Sequence, residues 1–283
     1  MRRFGINRMT SKVLSLNDSL EWRDYLNILP LEQHDAYYSP EYYSMYEANG
    51  DGIAKCFVFE DKNDLAIYPF LQNSVNKLGY TLDAEYSDIQ GAYGYNGVIT
   101  SSYETEFKKK FFEAFSWFCS EENIIAEFNR FNPINGNHLF EIRTNPINVL
   151  DNVLIDLTLD VSEIWMESFD NGVRKAVKKA ERNGLIYQCI SGNEINELQY
   201  KSFLDIYLST MRRNNADEYY FFSEMYFEKL FDNLKPYILL SIIEMDGKAI
   251  SVELDLVGAK NCYGFLGGTL SDYYSYSPNS LLR

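Results

Sequence analysis

One order of elements is written twice along this chain: a helix, a two-strand hairpin, then a strand rich in aromatics and glycine. In the first half, "YYSPEYYSMYEANG" predicts a helix with Ser39 as N-cap, Pro40 at the first helical position and Gly50 as terminator. "IAKCFVFEDKNDLAIYPFLQ" follows as two apolar strands around a polar turn, and then comes "YGYNGV". In the second half, "YYFFSEMYFEKLFDNL" places Ser223 as a cap and Tyr226, Phe227, Leu230, Phe231 and Leu234 on one helix face. "YILLSIIEMDGKAISVELDLV" carries Asp246-Gly247, a strong two-residue hairpin signal, and leads to "CYGFLGG". The expected fold class is α+β, with two similarly built domains at 1–150 and 151–283, each a mixed sheet flanked by helices.

After its aromatic-glycine strand, the first half goes on with "SSYETEFKKKFFEAFSWFCSEENIIAEFNRF". Ser101 and Glu104 have capping-box spacing, Phe107, Phe111, Phe115 and Phe118 line one helix face, and a strand follows. The lysines of "FKKKFF" read as a solvated face of that helix. The second half reaches "SPNSLLR", where Ser277 and Pro278 have the form of a helix start, and stops there. The last helix and strand of the first half have no counterpart here, so the expectation is either a truncated product or a minimal second domain whose open sheet edge needs cover.

With 26 Lys plus Arg against 41 Asp plus Glu, the formal net charge is −15. So negative a surface repels nucleic acid and anionic lipid, which argues against binding along a polynucleotide but leaves room for local capture of a small anion. Cys56, Cys119, Cys189 and Cys262 lie far apart, and neither they nor His34 and His138 have ligand spacing. They read as reduced, mostly core thiols, with no metal site. The start, "MRRFGINRMTSKVLSL", has the charges of a signal peptide without its apolar stretch, and no later segment approaches a membrane span. A cytoplasmic protein is expected.

Against this acidic background "FDNGVRKAVKKAERNGL" is a basic island, with Arg174, Lys175, Lys178, Lys179 and Arg182 against the single acid Glu181 between Gly172 and Gly184. "VSEIWMESFD" predicts a short amphipathic helix that Gly172 interrupts, a second helix runs from about Val173 to Gly184, and "LIYQCI" is a strand. Val173, Ala176, Val177 and Ala180 make a narrow apolar stripe, Arg174 and Lys178 share one flank, and Lys175, Lys179 and Arg182 share the other. Either this is a solvated face, or it grips an anion. Exposed helices usually intersperse acids at four-residue spacing, and this one carries nearly one sign.

"RKAVKKAERNGL" resembles the R-x-x-x-K-A-x-x-x-G-type motif that opens the second domain of the Fem-like peptidyltransferases and related GNAT-like N-acyltransferases. "YGYNGV", "AEFNRFNP" and the order "YYFFSEMYFEKL…DGKAISVELDL…CYGFLGG…YSPNSLL" are similar to the same group, from about Tyr37 onward. The resemblance implies two GNAT-like domains and transfer of an acyl or aminoacyl group to a primary amine of a phosphate-bearing cell-envelope or nucleotide-sugar intermediate. The donor would be acyl-CoA or aminoacyl-tRNA, with no tightly bound cofactor and a small-molecule or lipid-linked acceptor. It implies substrate binding by Arg174, whose planar fork matches phosphate oxygens, with Lys178 adding a point charge. Arg130, Tyr219 and Tyr220 join them as substrate contacts, and Gly267, Gly268 and Ser277 mark the donor site. Where the family tends to have an acid followed by proline, this chain has Asn132-Pro133, and no long heptad segment for tRNA contact is visible. Both departures favour a smaller donor or acceptor.

Amide formation needs a group to take the amine proton and donors for the tetrahedral oxyanion. In "AISVELDLV", Ile250, Val252, Leu254 and Leu256 alternate inward while Ser251, Glu253 and Asp255 share the other face, which is either simply wet or holds a catalytic base at Glu253. Tyr263 is the candidate phenol donor. Arg212 and Arg213 follow a long amphipathic helix (Ile195, Leu198, Ile206, Thr210) and read as partners of its C-terminal dipole. A non-catalytic binding module and a partner-bound structural protein of the same fold stand beside the enzyme reading.

Overall fold

The computed structural model describes residues 9–282; the charged start of the chain, up to Arg8, lies outside them. In chain order the elements are β1 (Thr10–Ser15), α1 (Ser19–Ile28), α2 (Pro40–Asn49), β2 (Ile53–Asp61), β3 (Asp64–Ser74), β4 (Ser87–Gln90), β5 (Ile99–Thr100), α3 (Thr105–Glu121) and β6 (Ile124–Phe128). There follow α4 (Val161–Glu163, continued by a π turn over Ile164–Ser168), α5 (Asn171–Arg182), β7 (Ile186–Ser191), α6 (Glu197–Arg213), α7 (Glu224–Asn233), β8 (Ile238–Met245), β9 (Lys248–Val257), β10 (Cys262–Thr269) and α8 (Pro278–Leu282). They form two compact units. One comprises Met1–Val149 with Ser223–Asn233 and Gly258–Asn261, the other Leu150–Phe222, Leu234–Val257 and Cys262–Arg283.

The first unit is built on a mixed sheet in the order β1-β2-β3-β4-β6, antiparallel except for the parallel β4–β6 pair, with β5 on β3. α3 lays Phe107, Phe111, Phe115 and Phe118 on the strands as its periodicity predicts, with Phe112 buried as well. Phe57, Phe59, Tyr68 and Phe70 meet them from β2 and β3, mostly edge-on or tilted, with centroids 5.2–6.4 Å apart. The predicted capping box does not form, because Ser101 Oγ accepts the Leu65 N–H of β3 and the helix starts only at Thr105, after Glu104.

α2 is capped as its sequence predicts: Ser39 Oγ accepts from Tyr42 N–H, and Gly50 closes the helix in the left-handed region. α7 likewise has Ser223 as its cap. The two helices pack in one unit although 174 residues separate Asn49 from Ser223, whose N–H and hydroxyl both meet the Asn49 side-chain oxygen. Between them the hydroxyls of Tyr42, Tyr46 and Tyr226 form a chain, 3.3 and 3.1 Å per link. Tyr42 also donates to the carbonyl of Tyr93. Burial pushes the phenols of Tyr42 and Tyr46 well above their ordinary pKa.

The second unit is an antiparallel sheet in the order β10-β9-β8-β7. Asp246 and Gly247 turn the β8–β9 hairpin with φ of +52° and +75°, and Met245 faces Lys248. Val252, Leu254 and Leu256 are wholly buried on the inward face, and Ile250, beside a register shift, is buried too. α6 packs on that face with Phe203, Ile206, Tyr207 and Thr210, whereas Leu198 is exposed and Ile195 precedes the helix, so its buried stripe is shorter than predicted. On the other face Ser251 is not wet. Its hydroxyl meets Thr269 Oγ1 at 2.6 Å and Asn279 of α8 at 3.2 Å. Ala180, Leu185, Ile243, Ile250 and Leu282 close the end where α5 and α8 meet the strands.

The cysteines are free thiols, but only Cys56 is buried. Cys119 is half-buried, and Cys189 and Cys262 are exposed, so the expectation of mostly core thiols holds for Cys56 alone. No helix among the described residues is long and apolar enough to cross a membrane.

Candidate functional site

The basic island is organised by its N-terminal corner. Gly172 does not interrupt the helix: α5 begins at Asn171, and the break falls at Phe169 and Asp170, whose carboxylate accepts the Val173 N–H as N-cap. The apolar stripe seats α5 through Val177 and Ala180. Val173 lies nearer the surface, and Lys175, Lys178 and Lys179 are exposed.

Arg174 is half-buried and differs from these lysines. Its Nη1 donates to the carbonyls of Trp165 at 3.0 Å, Met166 at 3.1 Å and Phe169, and its Nη2 to Asn171 Oδ1 at 2.7 Å. The carbonyls are those at the end of α4 and its π turn, so one guanidinium caps that helix terminus. Trp165 and Phe169 pack edge-to-face across the same turn, centroids 6.0 Å apart. Among the described residues no carboxylate pairs with Arg174. Sequence reasoning missed Asn171 and the three carbonyls; the Asp-Asn pair just ahead of the basic run was the one available signal.

The donor-site candidates come together in the second unit. Gly268 lies against α6, where a Cβ would meet Thr210 Oγ1 at 2.5 Å and the Ile206 carbonyl at 2.8 Å. The next residue, Thr269, hydrogen-bonds through Oγ1 to Asn279, two residues after Ser277. Arg213 ends α6 by donating to the Thr269 carbonyl at 2.7 Å and stacking on Tyr274, so it binds a strand end besides facing its own helix terminus.

Glu253 and Tyr263 are not brought together. Tyr263 pairs with Leu256 on the inward face and is buried, whereas Glu253 pairs with Gly267 on the outer face, half-buried. Glu253 and Asp255 share that outer face with Tyr187, which reaches Ser241 Oγ at 3.2 Å. Although the residue as a whole is exposed, desolvation of its sulfur first, then Asp255, Cys189 and Glu253, push the Cys262 thiol up to about 11. Tyr219 and Tyr220 form a short turn capped by Asp217, with Tyr219 at the surface and the Tyr220 carbonyl accepting from Tyr207. Arg130 belongs to the first unit, where its backbone is clamped by Asn96 and its side chain is exposed.

The chain thus has two helix-flanked sheets, one in each unit, with a cationic helix corner in the second. Residues 163–275, which include that corner and all four strands of the second sheet, match the family FemAB_like, described as peptidoglycan biosynthesis/recognition. The crystal structure of FemX superposes with a TM-score of 0.65 over 96% of this chain and 83% of its own, at 10% identity. The C-terminal domain (DUF2156) of a putative lysylphosphatidylglycerol synthetase from Agrobacterium fabrum gives 0.55 over 93% and 73%, at 12% identity. No curated protein sequence matches the chain. The family match covers the basic helix and the second sheet, and the two solved structures show that the chain shares their fold.

Proposed function

We propose that this protein transfers an acyl or aminoacyl group to a primary amine of a phosphate-bearing cell-envelope or nucleotide-sugar intermediate. The observation that carries this reading is Arg174, a half-buried guanidinium without a carboxylate partner among the described residues, inside the family-matched segment of a strongly acidic chain. A buried cation left without an anion is costly, and a bound phosphate would supply one. Lys178, one turn further along the same flank, adds charge. The donor, acyl-CoA or aminoacyl-tRNA, is assigned to the strand end at Gly267 and Gly268 beside Ser277. Glu253 is the candidate proton acceptor for the attacking amine.

A binding module without catalysis is the second reading, favoured by the placement of Glu253 and Tyr263 on opposite faces of the sheet. One assay separates them. Labelled acyl-CoA and charged tRNA are each offered with nucleotide-linked and lipid-diphosphate amines, and product is followed by mass. Turnover with any pair establishes the transferase, whereas saturable acceptor binding with no product from any donor establishes the module.

A further inference from the structure

Resting on that reading of Arg174, we infer that Asn171 is a positioning residue for the anion contact, and that the corner between α4 and α5 sets the guanidinium in one orientation before ligand arrives. A guanidinium has five N–H donors. The two on Nη1 are taken by the carbonyls of Trp165, Met166 and Phe169, and one on Nη2 by Asn171 Oδ1. Nε–H and the second Nη2–H have no partner among the described residues. Nε and Nη2 lie along one edge of the guanidinium, the edge that meets two oxygens of one phosphate side-on.

The carbonyls lie on backbone and cannot be removed singly. Asn171 can, and its chemistry matters because it is neutral. Its oxygen orients Nη2 while leaving the positive charge in place, whereas a carboxylate in the same position would orient it equally well and neutralise it. Arg143, in the first unit, shows the other arrangement. Its guanidinium is bound by Glu127 and Glu141 and has no charge left to offer. The corner at Arg174 uses only neutral acceptors around a cation, which keeps it available for a diphosphate or phosphate.

The test titrates the full chain with inorganic pyrophosphate, a nucleoside diphosphate and geranyl diphosphate, and measures thermal unfolding of each variant. Asn171→Ala should weaken binding of whichever diphosphate the wild type takes by about tenfold, the low end for a hydrogen bond to a charged group. Asn171→Asp should abolish binding while raising the unfolding temperature, since the new acid pairs with Arg174 and sits at a helix N-terminus. In an Arg174→Lys background, Asn171→Ala should have little further effect. A purely structural role predicts the contrary for Asn171→Asp: stability and binding kept together. Diphosphate binding by the wild type that Asn171→Ala and Asn171→Asp leave unchanged overturns this inference alone, and a wild type that binds none of the three probes overturns the phosphate reading of Arg174 with it. Preference among the probes tells a nucleotide carrier from a lipid one.

Discussion

Arg143 and Arg174 put the same side chain to opposite uses. Arg143 lies over the Phe112 ring, 4.2 Å from its centre, and its guanidinium binds Glu127 and Glu141 with four N–H contacts of 2.7–3.1 Å, one of them from Nε to Glu141. Arg143→Ala would strand two largely buried carboxylates and should cost about 2–4 kcal/mol in chemical denaturation, somewhat less than a fully buried pair. Burial alone would raise the Glu141 pKa, but hydrogen bonds from the Arg143 side chain and backbone, and its charge, outweigh it and hold the carboxyl below its ordinary value. Glu141 therefore contributes stability that is complete above about pH 4.3, its unfolded value, and is lost as pH falls through the lower folded value. Acid unfolding of Glu141→Gln, followed by tyrosine fluorescence, should show less stability than wild type at pH 7 and a smaller difference near pH 3. Arg174→Ala differs in kind. An exposed arginine on a helix flank contributes almost nothing to folding, but this one ends a helix, and its loss should cost the second unit about 1–2 kcal/mol besides the loss of anion binding. An unchanged unfolding midpoint would show that the carbonyls of Trp165, Met166 and Phe169 find water as readily as they found the guanidinium.

Elements that depend on a few neighbouring residues were legible before the structure. Ser39 and Ser223 cap the helices they were read to cap, the phenylalanines of α3 face the strands, and Asp246-Gly247 turns a hairpin. Replacing Gly247 by Ala should cost about 1 kcal/mol in the midpoint of unfolding, because its φ of +75° suits only a residue without Cβ. What sequence could not show was set by partners far along the chain. Ser101 has capping-box spacing with Glu104, yet β3 claims its hydroxyl. Ser251 alternates onto an outward face, yet α8 covers it through Asn279. Gly268 reads as part of a glycine-rich donor site, yet its lack of a side chain is already required by the approach of α6. Gly268→Ala should accordingly destabilise the fold by about 1–3 kcal/mol through overpacking. Calorimetry with acyl-CoA on the same variant then distinguishes a packing glycine from one that also serves the donor.

At the scale of the molecule, order along the chain and membership of a compact unit part company. The repeat in the sequence pairs α2 with the first hairpin and α7 with the second, but α7 and the turn Gly258–Asn261 are counted in the first unit. The physical reason is visible in the side chains. α2 presents Tyr42, Tyr43, Met45 and Tyr46, all wholly buried, and a helix so apolar and aromatic on its inner side needs a second element to cover it. α7 supplies one, with Tyr226 closing the hydroxyl chain and the Asn49 side chain meeting the Ser223 cap. A fragment ending at Val149 keeps the whole first sheet and α3 but loses this helix. Burying a large apolar side chain is worth about 1.5–3 kcal/mol, so losing Tyr226, Phe227, Leu230 and Phe231 removes, as an upper bound, about 6–12 kcal/mol, comparable with the net stability of an entire domain. The fragment 1–149 should therefore be unfolded or aggregated when expressed alone, and a synthetic peptide spanning 220–235 should restore soluble, cooperatively unfolding protein when added in excess. A fragment 1–149 that unfolds cooperatively without the peptide would show that α2 can bury its tyrosines by itself, and that α7 adds contacts which the first unit does not require.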